Sequence, residues 1–313
     1  AESVDAVVLT HAHIDHSGLL PKLVSEGFRG PIYCTRATAD LLQVMLNDAA
    51  GLYERDLERE NLRRSRRGAP ELQPAYTRAD VERVFKQCSP QRYRQPFAIG
   101  EAGSVTFHDA GHILGSAIVE LTLQEQGREK RLVFSGDLGK KDSVLLFDPD
   151  VLTRADVVMM EGTYGDRDHR TLGNTLEQFE QVLSEAWERG GNVMIPAFAV
   201  GRTQELLFYL GQLHQQGKLD NWEIFLDSPM AIEVTRLYDR WLSQLDCEGA
   251  KGLCSGDQTL LRDFLPRLRL TASTDESMMI NKIKRGALII AGSGMCTGGR
   301  IRHHFKQRIW DER

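Results

Sequence analysis

The sequence predicts an α/β protein of two domains, and three observations carry that reading. Short β-branched runs such as "DAVVLT" have strand length and lead into polar or glycine-rich turns. From Asp166 onward, helix-period segments and apolar strand-length segments alternate strictly, the pattern of a parallel sheet flanked by helices. A chain of 313 residues is also long enough for two hydrophobic cores. The change of rhythm places the boundary near 165–170, separating residues 1–166 from 167–313.

The elements follow in order. "DAVVLT" (5–10) reads as a buried strand. "SGLLPKLVSEGF" reads as a helix with Ser17 near its cap and Pro21 in its first turns. "PIYCT" (31–35) is a second strand, and a long helical pattern runs from Thr35 to about Arg67. Arg63, Arg64, Arg66 and Arg67 at its end could touch phosphates, but their mixture with acids favours a solvated helix end. "TRADVERVF" (77–85) is a helix capped by Thr77 with Asp80 three positions on. "SVTFHDA", "SAIVELTLQ" and "RLVFSGD" alternate as strands, the last two forming a hairpin. "ADVVMMEGTYG" (155–165) reads as one more buried strand. In the second half, a helix at 172–189 precedes "NVMIPAFA", "GRTQELLFYLGQLHQQG" precedes "WEIFLDSP", and "MAIEVTRLYDRWLSQL" follows. "LRLTAS", "DESMMINKI", "ALIIAGSG" and a helix near 299–310 complete the array.

Composition narrows the class. Net charge is −5, which excludes a uniformly basic nucleic-acid-binding protein but not a local basic groove. No apolar run reaches bilayer length, so no membrane partner is expected, and the N-terminus lacks a signal-peptide shape. The five cysteines (Cys34, Cys88, Cys247, Cys254 and Cys296) are odd in number and scattered, which points to a reducing, cytoplasmic setting.

"THAHIDHSG" (10–18) concentrates chemistry. His11, His13 and His16 with Asp15 gather three of only 9 histidines next to a carboxylate, and imidazole and carboxylate suit zinc and related ions. In an extended segment His11 and His13 leave on one face, while Asp15 and His16 fall where the chain turns into a helix. That division suits two adjacent ions better than one. "DAGHILGSA" (109–117) and "FSGDLG" (134–139) each place one further donor, His112 and Asp137, in a glycine-containing turn after an apolar strand. Alone, each reads as a turn residue. The recurrence of strand followed by ligand is the signal.

In this order, these motifs resemble the metallo-β-lactamase superfamily. "MEGTYGDRDH", "IPAFAVGRTQELL", "FLDSPMA" and "IIAGSGMCTGGRIRHH" resemble its β-CASP branch of RNA-processing nucleases. The resemblance implies an αββα metallo-β-lactamase sandwich with an inserted parallel α/β β-CASP domain. It implies two zinc ions, one on His11, His13 and His112 and the other on Asp15 and His16, with Asp137 bridging. It further implies Glu161 as a carboxylate that positions a downstream histidine, Asp15 as an aid in orienting the nucleophile, and acids behind the imidazoles that fix their tautomers. The implied reaction is hydrolysis of single-stranded RNA by a two-metal, bridging-hydroxide mechanism, with the endonucleolytic form favoured; a homodimer is admitted.

The family's last zinc-ligating histidine and its general-acid histidine would lie beyond Arg313, and its first strands before Ala1. His303 and His304 stand on the last helix and read as surface residues, with His169 and His303 as alternative sources of the last ligand. "AGSGMCTGGR" (291–300) follows a buried strand and precedes a helix. Its spacing does not fit a dinucleotide fingerprint, and it closes the array rather than opening it. A phosphate of the nucleic-acid backbone is the anion the resemblance implies for this loop, with Ser293 and Gly294 as candidates to hold it. The rival readings are a DNA-repair nuclease of the same branch, a small-molecule hydrolase, and an inactive scaffold subunit of a processing complex. The large α/β insert disfavours the second, and the intact donor set the third.

Overall fold

The computed structural model describes residues 1–101, 103–125, 127–167, 172–241 and 265–312. His169, Cys247, Cys254 and the end of the helix expected to run on from Met230 lie outside the described residues. The chain divides into two compact units, Ala1–Glu161 and Gly162–Arg313.

The first unit holds two sheets. One is parallel, with β1 (Val7–Val8), β2 (Ile32–Thr35) and β3 (Cys88–Gln91) in that order. The other runs β4 (Phe97–Ile99), β5 (Gly103–Asp109), β6 (Ala117–Glu125), β7 (Arg128–Phe134) and β8 (Val157–Met159). It is antiparallel up to β7, and β8 joins β7 in parallel. Their facing side chains form a shared core, with Val8 and Tyr33 of the first sheet packed on Val105, Phe107, Ala117 and Val119 of the second.

Helices follow local signals. Helix α3 (Arg36–Ser65) starts where the Thr35 side chain accepts the N–H of Thr38. It buries Leu41, Leu42, Met45, Leu46 and Ala50 at three-to-four spacing and runs out into solvent at its arginine-rich end. There Arg63 pairs with Glu60 and Arg64 bonds the Pro70 carbonyl. Helix α4 (Arg78–Gln87) opens on the Thr77–Asp80 capping box.

Two expectations are corrected here. Ser17 caps no helix: it ends the short α1 (Ile14–Ser17), and its hydroxyl donates to the carbonyls of Ala12 and His13. Helix α2 (Leu20–Ser25) begins afresh after Leu19, with Pro21 in its first turn. The strand β8 is not buried either. Val157, Val158 and Met159 are all exposed, and among the described residues β8 is the edge of its sheet, paired with β7 only.

The second unit is a parallel sheet of order β11 (Leu268–Leu270), β10 (Glu223–Leu226), β12 (Ala287–Ala291), β9 (Val193–Pro196). Period-two alternation splits its residues between two cores. Ile224, Leu226, Leu288 and Ile290 pack with α5 (Leu172–Glu188), α6 (Arg202–Gln215) and α7 (Pro229–Arg240). Phe225, Ala287, Ile289 and Ala291 pack on the other face, with Ile280 after α8 (Thr274–Met279) and Ile301 of α9 (Ile301–Arg308). Burial on both faces is why these strands read as continuous apolar runs. Among the described residues no helix is long and apolar enough to cross a membrane.

Candidate metal centre

The loops at the ends of β1, β5 and β7 converge. Donor atoms of His11, His13, His112 and Asp137 all lie within 4.8 Å of one another, and so do those of Asp15, His16 and Asp137. The chain reaches this geometry by tight local bonding. The N–H of Ala117, at the start of β6, donates to the Thr10 carbonyl. Ser116 Oγ accepts the N–H groups of His112 and Ile113, closing the histidine turn. Gly139 passes so close to Gly111 that a Cβ there would collide with the Gly111 carbonyl, so the Asp137 and His112 turns touch only because residue 139 is glycine.

Within the centre, Asp137 divides its two oxygens. Oδ2 lies 3.6 Å from His11 Nε2 and 3.5 Å from His112 Nε2, while Oδ1 lies 3.2 Å from His16 Nε2. His112 Nε2 is 3.1 Å from His13 Nδ1, and His16 Nε2 is 3.6 Å from Asp15 Oδ2. Donors held at about 2.0–2.2 Å around one tetrahedral ion stand about 3.3–3.6 Å apart, so the spacing matches shells that ions could fill. Among the described residues His11 Nε2 is buried without a hydrogen-bond partner, a costly state for a polar atom unless something else takes its lone pair. The residues present therefore fit divalent ions of the zinc class.

Electrostatics favour the same chemistry. Burial, reinforced by His16, His13 and His112, drives the His11 pKa down to about 2. Burial and His112 bring His13 down to about 4, against the opposing pull of Asp15 and Asp137. His112 is lowered by burial as well, opposed by Asp137 and Glu161. Neutral imidazoles are the metal-ligating form. Exposure grades across the centre: His11 is fully buried, while the Asp15 side chain is 76% exposed. Among the described residues no acid stands behind His11. Its Nδ1 lies 3.1 Å from the Thr10 hydroxyl, which corrects the expectation of a carboxylate partner there.

Glu161 sits just after β8, and its Oε1 accepts the N–H of Leu138 at 2.8 Å, while its own N–H donates to Ser135 Oγ. It thus ties the end of β8 to the turn that carries Asp137. Ser293 and Gly294 belong to the second unit. Ser293 N–H donates to Gly298 O, and Ile301 N–H to Gly292 O, closing the loop after β12 at its neck.

The second unit also holds a polar assembly that sequence reasoning missed. His304 is not a surface residue: it is 2% exposed, and its Nε2 lies 2.7 Å from Asp227 Oδ2. Asp227, wholly buried, also accepts from Arg300, Ser277 and Thr271. Burial pushes the Asp227 carboxyl up, but these donors outweigh it and hold the pKa at about 2. The signal in the sequence was the aspartate of "FLDSPMA", a charge directly following an apolar strand; its partner lies 77 residues away. His303, by contrast, is exposed.

Comparison with known proteins agrees with this arrangement. Residues 1–146 match the metallo-beta-lactamase superfamily domain, and residues 203–313 match the Beta-Casp domain. The chain is 39% identical over 314 residues to "Ribonuclease TTHA0252" of Thermus thermophilus, covering all of this chain and 66% of that protein. It is 33% identical over 317 residues to "Transcription termination factor FttA" of Methanocaldococcus jannaschii, again over all of this chain but 46% of that protein. An "RNase J-like protein" of the same archaeon is 29% identical over 308 residues, 97% of this chain and 64% of its own length. The chain thus spans less than two thirds of these relatives. With a metallo-β-lactamase unit carrying clustered histidines and a Beta-Casp unit built on a parallel sheet, the chain belongs to the β-CASP branch of the metallo-β-lactamase superfamily.

Proposed function

We propose that the chain carries the core of a two-zinc ribonuclease that hydrolyses single-stranded RNA. The observation that supports this most is the division of Asp137 between two donor groups, one oxygen towards His11 and His112 and the other towards His16. A shared carboxylate is the means by which two cations are held close enough to act on one phosphate. Residues His11, His13, His112 and Asp137 would hold one ion, and Asp15, His16 and Asp137 the other. Bound there, the pair supplies Lewis acidity towards a phosphoryl oxygen and lowers the pKa of water towards ~7.

The chain's own residues do the rest. Buried, neutral His11 offers a lone pair without first losing a proton. Asp15, exposed at the rim of the cluster, would help orient an attacking water. Glu161 holds the Asp137 turn through Leu138. Relatives named as ribonuclease and RNase J-like support RNA as the substrate.

The test uses the full-length protein. It should cut single-stranded RNA in preference to duplex DNA, lose the cut on chelation, and regain it with zinc. Lactone hydrolysis without nuclease activity, or a strict preference for DNA, would overturn the assignment.

A further inference from the structure

The carboxyl ends of β9 and β12 are neighbours in the parallel sheet, yet the helices that follow them depart to opposite faces. Helix α6, after β9, packs its leucines with Leu288 and Ile290, whereas α9, after β12, packs Ile301 with Ile289 and Ala291. Such opposite departure marks the place where open α/β sheets take their ligands. Phe198 follows β9 there, and the loop 292–300 follows β12.

Phe198 is unusual for its position. It directly follows the buried Ala197, yet is 53% exposed. Its backbone is fixed: its carbonyl accepts both the N–H and the hydroxyl of Thr203. Gly294, in the loop after β12, lies against one part of the ring, so close that a Cβ at 294 would stand 2.8 Å from Phe198 Cδ2. The N–H groups of Gly294 and Met295 have no hydrogen-bond partner among the described residues. Arg302 leans back on the same loop through the Thr297 carbonyl. Phe198 therefore offers a half-exposed, pre-positioned aromatic ring. The loop beside it offers free backbone donors and a guanidinium, the complement of an anion. A flat base joined to a phosphate matches both, and base stacking on aromatics with backbone capture is how single strands are held irrespective of sequence.

We propose that Phe198 is a binding residue that stacks a base of a single-stranded nucleic acid whose adjoining phosphate faces the loop at Gly294 and Met295. This rests on the ribonuclease reading and adds to it a specific contact, one that needs a base rather than a phosphate alone.

Binding by the full-length protein to a short phosphorothioate RNA, and to the same strand with abasic sites, tests it. Phe198→Ala should weaken binding of the intact strand by about fivefold to a hundredfold. Phe198→Tyr should restore it, and Phe198→Leu, which keeps apolar volume without the aromatic face, should not. On the abasic strand, wild type and Phe198→Ala should bind alike. Equal binding of the intact strand by wild type and both non-aromatic variants would overturn the stacking and leave the ribonuclease reading standing, as would a loss that persists in full on the abasic strand. A wild-type protein with no affinity for RNA would bring down both.

Discussion

Glu161 reaches back over 23 positions to accept the N–H of Leu138, at 2.8 Å, one residue beyond Asp137. The contact needs an oxygen acceptor, not a charge. Glu161→Gln should therefore keep zinc affinity within about threefold of wild type, while Glu161→Ala should lower it by about tenfold, in keeping with the loss of an outer partner. Zinc titration of the three proteins checks this. Equal losses in both variants would assign the effect to charge.

The two donor groups share Asp137 but are unequal: four residues against three, with the smaller group more exposed. One zinc should bind this 313-residue chain tightly and a second should be removed by dialysis. His16→Ala should abolish only the weak one, whereas Asp137→Asn should weaken both. Metal content after dialysis measures each case; two equally retained ions would refute the inequality.

Gly139 stands against the Gly111 carbonyl, and no side chain fits between the two turns. Gly139→Ala should force them apart, costing about 1–3 kcal/mol as overpacking does. Zinc affinity should fall with stability, because His112 and Asp137 sit on those turns. Unchanged melting with unchanged zinc binding would contradict the contact.

Asp227 is held at a pKa of about 2, below the usual carboxylate value of 3.8. A depressed folded pKa adds stability above the unfolded pKa and loses it as pH falls through the folded one. The window is therefore about pH 4 down to 2, and the contribution is about 2 kcal/mol in order of magnitude. Asp227→Asn should destabilise the protein at neutral pH by about 3–5 kcal/mol, because Arg300 would keep its charge beside a neutral partner. The variant should also lose part of the acid-limb slope seen for wild type in urea unfolding. An identical slope in both would exclude Asp227 from that limb.

RNA cleavage should weaken as salt rises, since each phosphate neutralised contributes about −0.7 to the slope of log K against log salt for a single strand. KM measured across a salt series gives that slope, and a flat response would argue against a charged polymer as substrate.

What could be read from the sequence was what local pattern encodes. The capping box of Thr77 and Asp80 and the leucine spacing of α6 name their helices without help from distant residues. The alternation behind the parallel sheet is equally local. The donor motifs stood out because histidines are scarce elsewhere and these follow apolar strands. Edge position is not local: Val157, Val158 and Met159 have an interior composition, but only pairing shows that β8 ends the sheet. His304 was hidden for the same reason. Its helix, "IRHHFKQR", looks solvated, and its partner Asp227 stands just after β10, far away in sequence. Thr10 behind His11 carries no pattern at all, being the last residue of an ordinary apolar run.

The sealing of His11 has a consequence in time rather than in affinity. A donor with no exposed surface shields its side of an ion from a chelator, whereas Asp15 at the rim meets solvent directly. Two ions seated here would leave on different clocks, one set by its own dissociation and the other also by the breathing of the segment that buries His11. Exchange of labelled zinc would then be biphasic, and its slow phase would report how often this part of the protein opens.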